Sequence, residues 1–323
     1  MRPVLDRLAR LGDAGLPAPL VAVLVGLLAP PLAALGHLLL VPCVVVLLAM
    51  SVLLAEPGRL QWREMGPVGL LVLANLVITP LVAHALALAL GFDEIGGWLV
   101  LVAACPAAGS AAMMAGLLGL PVRPMLLAQL LCFFALPVSA PLVAGLVLDG
   151  AVIDPWDLLL RVLAMVGLPT LLGLGLRWGL GESRRREFLR PARGLGTAAL
   201  CGIGLAIAAG LPAGIAGFGP WRECLVGLAM VSLLGAGMGA VAGMVGGATI
   251  AAAFALGGAV RNVSLLWSAT HGLATPAAEM LMQMGTLWTL LLPALLGLRG
   301  WWPLVSDRSL RLAVALLALL TMR

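Results

Sequence analysis

Residues Thr249–Gly272 read TIAAAFALGGAVRNVSLLWSATHG, and this segment restricts the fold more than any other part of the chain. It is long and apolar enough to cross a bilayer, but its middle holds Gly257-Gly258 and then Arg261-Asn262. A guanidinium at that depth is unfavourable unless it faces a cavity or a partner, and adjacent glycines weaken a helix. We therefore predict a transmembrane helix that breaks at the glycine pair, which is typical of a substrate or ion site in a transporter.

The composition indicates a membrane protein with many spans. Of 323 residues, 62% are hydrophobic and only 10% are charged, which is more apolar than a soluble core requires. All 19 basic side chains are arginines, and the chain contains no tyrosine. This composition is typical of a GC-rich bacterial genome, so we expect a multi-pass protein of the bacterial inner (cytoplasmic) membrane, with the lipid bilayer as its main partner.

No motif in the sequence indicates catalysis. The five cysteines are scattered without metal-type spacing, and the three histidines are far apart in the chain. HExxH, GxSxG and P-loop patterns do not occur. We therefore expect a protein that is not an enzyme and that needs no cofactor or metal. The net charge of +5 comes mainly from loop arginines and gives no reason to expect a nucleic-acid partner.

Ten apolar segments are each close to the roughly 20 residues that a spanning helix needs. They lie near 18–35, 37–55, 67–91, 97–119, 124–148, 156–179, 195–217, 221–245, 248–271 and 276–298. If the N-terminus is inside, sixteen arginines fall in cytoplasmic pieces and only Arg222 falls in an outer loop. This asymmetry follows the positive-inside rule and predicts that both termini are cytoplasmic.

A basic run at 182–193 divides these segments into two halves of five. Because five is odd, the second half must cross the membrane upside down relative to the first, which is the inverted-repeat plan of many secondary transporters. The fourth and ninth segments correspond, because Cys105-Pro106 lies at the depth of Gly257-Gly258. We expect both helices to break at the midplane. The predicted units are an N-terminal interfacial helix at 1–15, a first five-helix repeat at 16–148, an inverted second repeat at 149–298 and a C-terminal interfacial helix at 299–323.

Two further patterns predict contacts between or within helices. The eighth segment has four glycines at four-residue spacing, which makes a smooth face for the close approach of another helix. They are Gly235, Gly239, Gly243 and Gly247. In the sixth segment Asp157 and Arg161 are four residues apart, a spacing that predicts a surface ion pair.

Three parts of this layout resemble the bile acid:sodium symporter family, of the bile/arsenite/riboflavin transporter superfamily. Residues 97–130, GWLVLVAACPAAGSAAMMAGLLGLPVRPMLLAQL, are similar to its fourth and fifth helices, and ALGGAVRNVSLLWSAT is similar to its Glu-x-Gly-x-Gln-Asn helix. LANLVITPLVAHAL in the third segment looks like its Ala-Gln-Phe-x-x-Met-Pro helix. The resemblance covers most of 16–298. It implies an all-α fold with ten transmembrane helices: a panel of the first, second, sixth and seventh, and a core of the others in which broken helices 4 and 9 cross.

The chain departs from that family at most of the positions that bind sodium. In the fourth helix the family's Ser-Asn falls on Ala111-Ala112 and the following Thr on Ala115. The fifth-helix Ser and Thr fall on Met125 and Gln129, and the third-helix Gln falls on Asn75. In the ninth helix the Glu and Gln fall on Gly257 and Arg261, while the Asn remains as Asn262. Sodium requires a cage of oxygen atoms, which methyl groups and a guanidinium cannot supply. We expect a divergent member without sodium coupling.

The residues predicted to bind substrate lie at the two breaks or face them from the third and fifth segments. They are Asn75, Thr79, Pro106, Ala108, Ser110, Gln129, Gly257, Gly258, Arg261, Asn262 and Ser264. Ser110 follows the Pro106 break, where amide groups at a half-helix start could hold an anion. For Gln129 an interhelical hydrogen bond explains the sequence equally well, and for Ser264 a bond to its own helix does. Glu279 is an acid near this core that could pair with Arg261 or carry a proton, which leaves proton coupling open.

These observations favour a secondary transporter that moves a small or amphipathic organic anion by alternating access. Bile-acid-like, sterol-like and carboxylate substrates all fit a buried cation in an apolar setting. A membrane-embedded binding or sensor protein on the same fold is an alternative, because alanines replace most coupling ligands. An arsenite-type efflux permease is a further alternative, although the ninth segment offers no cysteine at its break.

Overall fold

The computed structural model describes residues 2–14, 17–54, 62–108, 111, 115, 120–147, 154–216 and 221–298. Within them the chain is almost entirely helical, which confirms the all-α prediction. The predicted C-terminal helix at 299–323 and the candidate Ser110 lie outside these residues. In chain order the elements are α1 (Arg2–Ala14), α2 (Pro17–Leu28), α3 (Pro30–Leu38), α4 (Leu40–Leu54), α5 (Trp62–Leu73), a π-helical turn (Ala74–Ile78), α6 (Thr79–Leu90), α7 (Gly96–Ala104), α8 (Val122–Val147), α9 (Pro155–Ala216), α10 (Trp221–Met244), α11 (Ala248–Ala259), α12 (Val263–Ala269) and α13 (Pro276–Leu298).

Several of these helices are built to cross a membrane. Five described stretches are long and apolar enough, and seven qualify if each of two bent helix pairs is one span. The five are Met65–Leu90, Val122–Leu146, Trp156–Gly181, Glu187–Gly210 and Trp221–Met244. Large apolar side chains such as Leu28, Leu171 and Val245 are 70% exposed or more. An exterior of this kind suits lipid and not water, so the chain is a multi-pass membrane protein.

The first predicted span is not one straight helix. Ala29 has an extended backbone (φ −130°, ψ 81°) between α2 and α3, because it precedes Pro30 and the residue before a proline avoids the helical region. Leu39 then separates α3 from α4, which meet at an angle of 62°. The predicted segments at 18–35 and 37–55 therefore become three helices.

The basic run at 182–193 is helical and not a loop. α9 continues through it with one sharp kink at Gly181, whose positive φ of 63° is strained for residues with a side chain. α1 packs against the part of α9 beyond this kink, where Asp13 accepts a hydrogen bond of 2.6 Å from Arg190. Gly181 thus separates two helical parts of α9, and the basic run begins directly after it.

The glycines of α10 form the predicted packing face, and the partner is α11. A methyl group on Gly235, Gly239 or Gly243 would overlap with the backbone of α11 at Gly258, Phe254 or Ala251. Gly247 does not belong to this face, as it precedes α11 with a φ of 100°. It therefore serves the turn and not the packing, which corrects the prediction for that residue.

We predict that Gly239→Ala lowers the midpoint of thermal unfolding of the purified protein in detergent. The added methyl would overlap with the carbonyl of Phe254, and overpacking of this kind costs about 1–3 kcal/mol. Gly175→Ala is the matched control, since nothing lies within 4 Å of the new methyl there. Alanine should be neutral or slightly stabilising at that exposed helical position. Equal midpoints for the two variants would contradict the close packing of α10 and α11.

Candidate functional site

The first break lies at the end of α7, as predicted. α7 ends at Ala104, and Cys105 has an extended backbone with φ −63° and ψ 145°. The cause is Pro106, which has no N–H to continue the helix and which pushes the preceding residue out of the helical region. Cys105, Pro106, Ala107 and Ala108 are all buried. The break therefore leaves polar backbone groups inside the protein.

The second break lies later than the glycine pair that was predicted to cause it. α11 remains helical through Gly257 and Gly258 and ends at Ala259. Val260 is extended (φ −105°, ψ 95°), Arg261 forms a β-bridge, and Asn262 (φ −81°, ψ 64°) precedes α12, which begins at Val263.

The glycine pair serves close packing and not the break. A side chain on Gly258 would overlap with the backbone of Gly235, and one on Gly257 would overlap with the end of Met125. Both glycines are buried. They allow α10 and α8 to approach α11, and the prediction that they unwind the helix is wrong.

The two breaks cross each other and are joined by backbone hydrogen bonds. Ala107 and Arg261 form an antiparallel bridge. The amide of Ala108 donates to the carbonyl of Val260 at 2.8 Å, and the amide of Asn262 donates to the carbonyl of Pro106 at 2.8 Å. Each break thus supplies the partners that the other lacks, which is required of irregular backbone at membrane depth. We call these two extended pieces, 105–108 and 260–262, the crossing.

Arg261 lies at the centre of the crossing and is only 2% exposed. Its Nη1 donates to the carbonyl of Cys105 at 3.0 Å, while its Nε and Nη2 are buried and have no hydrogen-bond partner among the described residues. Glu279 does not pair with it, contrary to one expectation. Instead, α7 and α11 both end here, and the partial negative charge of their C-terminal ends favours a cation.

Asn262 and Ser264 are engaged with the start of α12. The side-chain oxygen of Asn262 accepts from the amide of Leu265 at 3.3 Å and from the hydroxyl of Ser264 at 3.0 Å. Asparagine is a favoured residue at this capping position because it satisfies an amide that has no partner within the helix. These two predicted site residues therefore shape the second break, and their polar atoms already have partners.

Asn75 and Thr79 lie at a π-helical turn in the third segment. The amide of Thr79 donates to the carbonyl of Ala74, one residue further back than in an α-helix. Pro80 follows and has no N–H to donate to the preceding turn. The π turn therefore lies just before a proline, which interrupts the helical hydrogen bonds. Single π turns inside α-helices are frequent at functional sites. Asn75 and Thr79 are 1% and 0% exposed, and their side-chain polar atoms have no partner among the described residues.

Gln129 on α8 is the last of the predicted residues with a buried polar atom that lacks a hydrogen-bond partner. It is 3% exposed, and its carbonyl oxygen has no partner within the described part of the chain. One turn later, Cys132 lies beside Asn75 and within electrostatic reach of Arg261. Cys132 therefore links the π-helical turn, α8 and the crossing. We call Asn75, Thr79, Gln129 and Arg261 the polar cluster.

The polar cluster suits a ligand that is rich in oxygen acceptors. Buried polar groups are nearly always hydrogen-bonded, and leaving one without a partner costs about 1–3 kcal/mol. The two free N–H groups of Arg261 need acceptors, and a carboxylate or sulfonate offers two in the geometry that arginine prefers. A sodium cage does not fit, because Ala111 and Ala115 are buried methyl-bearing residues. Within the described residues no group of three or more His, Cys, Asp or Glu side chains could hold a metal ion.

Two residues of the site were missed from the sequence. Thr289 on α13 donates its hydroxyl to the carbonyl of Arg261 at 2.9 Å, and it lies 28 residues away in the chain with no local motif around it. Cys132 looked like an ordinary buried residue. Only its polar side chain in a largely apolar helix could have drawn attention to Thr289.

Comparison with known proteins adds no relative, since neither models of known protein families nor curated protein sequences match the chain.

We predict that Thr289→Val loosens the crossing locally. The variant loses a buried hydrogen bond that is worth about 1 kcal/mol, so the amides around Arg261 should exchange hydrogen faster by mass spectrometry. Thr286→Val is the matched control on the same helix, because Thr286 bonds only to its own helix at Met282. Identical exchange in 258–264 for the two variants would show that Thr289 does not support the crossing.

Proposed function

We propose that this protein is a secondary transporter of a small or amphipathic organic anion. The observation that carries the proposal is Arg261, which is buried at the crossing with two N–H groups that no described residue satisfies. A permanent charge placed there, among helix breaks, marks a substrate pathway in a membrane protein. The anion would accept hydrogen bonds from the guanidinium, with Asn75, Thr79 and Gln129 as further polar contacts.

The proposed topology has ten spans in two inverted halves. The crossing of α7 with α11 supports it, because these helices occupy corresponding places in the two halves. On this plan both termini are cytoplasmic, and the arginine asymmetry of the loops gives the orientation. The panel and core of the bile acid:sodium symporter family, which the chain resembles, would move relative to each other and expose the crossing to one side at a time.

The residues around the crossing suggest which anions fit. Ala107, Ala108 and Met125 are buried, apolar and close to the break, so the body of the substrate would meet apolar surface while its acid group meets Arg261. This combination suits bile-acid-like or sterol-like acids and apolar carboxylates. It disfavours small, highly charged anions, which would leave charge without partners in an apolar site.

Transport by this protein would not depend on sodium. The positions that hold sodium in the resembling family carry methyl groups, a thioether, a glycine and an arginine. A guanidinium already occupies the crossing and would repel a second cation in a medium of low dielectric constant. Coupling to protons is compatible with the same site and is considered below.

Two other functions are tested by the same experiments. A binding or sensor protein is an alternative because Ala111 and Ala115 replace two of the sodium ligands of the resembling family. An arsenite-type permease is favoured by Cys105 and Cys132, which both lie within electrostatic reach of Arg261. The first predicts binding without accumulation, and the second predicts uptake of arsenite in preference to organic acids.

The test is uptake into proteoliposomes of a panel of carboxylates, sterol-like acids and arsenite. We predict accumulation of an organic acid at the same rate when choline or potassium replaces sodium. A steep dependence on sodium would contradict the proposed role of Arg261. Binding without uptake or counterflow would support the sensor alternative and reject transport.

Arg261→Gln separates a role in binding from a role in folding. If the guanidinium binds the anion, we predict an affinity about 10- to 150-fold lower, the equivalent of roughly 1.5–3 kcal/mol for a lost charged hydrogen bond, with little change in thermal stability. If it only holds the crossing together through Cys105, the variant should unfold at a lower temperature and keep its affinity where folded. Arg190→Gln is the control for loss of an exposed arginine, and normal affinity and stability in Arg261→Gln would reject both roles.

A further inference from the structure

The fold brings two of the three histidines together against a tryptophan. His37 lies in the last turn of α3, and His271 follows the end of α12. Their ring centroids are 5.0 Å apart with the rings at 65°, and the ring of His37 also lies 6.1 Å from that of Trp267. His37 is separated from Trp267 and His271 by more than 200 positions in the chain. We call His37, Trp267 and His271 the histidine cluster.

Each ring of the histidine cluster carries a nitrogen atom without a partner. The Nδ1 atoms of His37 and His271 and the Nε1 atom of Trp267 are buried and make no hydrogen bond to any described residue. The two histidines are themselves only partly buried. A buried nitrogen that lacks a partner next to an accessible edge is suited to bind a proton from solvent.

Both histidines lie at the C-terminal ends of helices, α3 and α12, where the last carbonyls carry partial negative charge. The ring of His37 is tilted by 51° relative to that of Trp267.

The charged groups that face the cluster come from α9 and α13. Arg161 donates to the backbone carbonyl of His271 at 3.1 Å and is itself paired with Asp157 at 3.0 Å. α13 carries one acid, Glu279, in its first turn, while α2 and α4 carry no charged residue. Within the described residues, the charge of Arg161 beside His271 is partly offset by Asp157, so protonation of one histidine adds a positive charge close to the other.

We propose that His37 and His271 form a proton-binding site that holds α3 against the end of α12. One proton binds to the pair favourably, since the second imidazole and Trp267 can face the cation. A second proton places two positive charges about 5 Å apart, and their repulsion separates α3 from α12. The pair therefore keeps the two helices together when it is singly protonated or neutral, and releases them in acid.

This proposal deepens the proposed function and rests on it for its consequence. On the proposed orientation α3 and the end of α12 lie at the outer side of the membrane, and α12 continues directly from the crossing. Release of α3 from α12 would then open the route from the outside to Arg261. Protons would act as the coupling or gating ion that sodium supplies in the resembling family.

The site itself is tested by NMR on protein labelled with ¹⁵N-histidine, whose spectrum contains only three imidazoles. We expect the imidazoles of His37 and His271 to bind protons in two coupled steps, because their rings are 5.0 Å apart. His271→Gln should convert the titration of His37 to a single step, while His84→Gln should leave both unchanged. A titration of His37 that is the same with and without His271 would overturn the proposal, and the wild-type protein alone gives the two-step result if a variant fails to fold.

Uptake measurements separate a failure of this site from a failure of transport. With acid outside, we expect wild-type proteoliposomes to take up the organic acid several-fold faster than at equal pH, and His37→Gln to lose this acceleration while its uptake at equal pH remains. Coupled titration without any uptake supports the proton site and rejects transport. Uptake that is insensitive to external pH, together with uncoupled titration, rejects the proton site and leaves transport in place.

Discussion

Backbone polar groups that are freed at membrane depth must find partners within the protein, and the centre of this molecule is arranged around that requirement. α7 and α11 each stop inside the protein, and their extended ends are satisfied by one another through Ala108, Val260, Asn262 and Pro106. Neither break would be stable without the other, because each would leave a buried amide or carbonyl unpaired. A movement that preserves these bonds must carry both helices as one body.

The neighbouring helices are shaped to hold that body. Gly235 and Gly258 allow the backbones of α10 and α11 to touch, and Thr289 ties the carbonyl of Arg261 to α13. On α10, the glycines at four-residue spacing lie where a side chain would force α10 and α11 apart.

The sequence predicted those features that have local causes. Pro106 acts on the residue before it, so the first break was placed correctly, and the spacing of Asp157 and Arg161 was enough to predict their ion pair. The second break was misplaced because glycine usually indicates a helix break. Here Gly257 and Gly258 stay helical and allow Met125 and Gly235 to pack closely against them.

Contacts between distant segments gave no local signal. The side chain of Asn262 was expected to face a ligand, but it caps α12. A capping role depends on where the helix restarts, which the sequence did not show. The approach of His37 to His271 depends on the packing of α3 beside α12. The predicted positions of Asn75, Thr79, Gln129 and Arg261 were more useful, because polar residues in apolar helices must face the interior whatever the exact topology.

The charge of Arg261 and its hydrogen-bonding groups are satisfied to different degrees, and this difference matters for a transport cycle. Two helix C-termini meet at the guanidinium, and their partial negative charges offset part of its positive charge without a ligand. Its Nε and Nη2 hydrogens are not satisfied in the same way. In the empty site the positive charge is therefore partly compensated, while the N–H groups of Arg261 still lack hydrogen-bond acceptors. A transporter must pass through an empty state as well as a loaded one. An arginine fully neutralised by a buried carboxylate would bind the anion weakly. An arginine whose charge nothing offsets would bind the anion too tightly to release it.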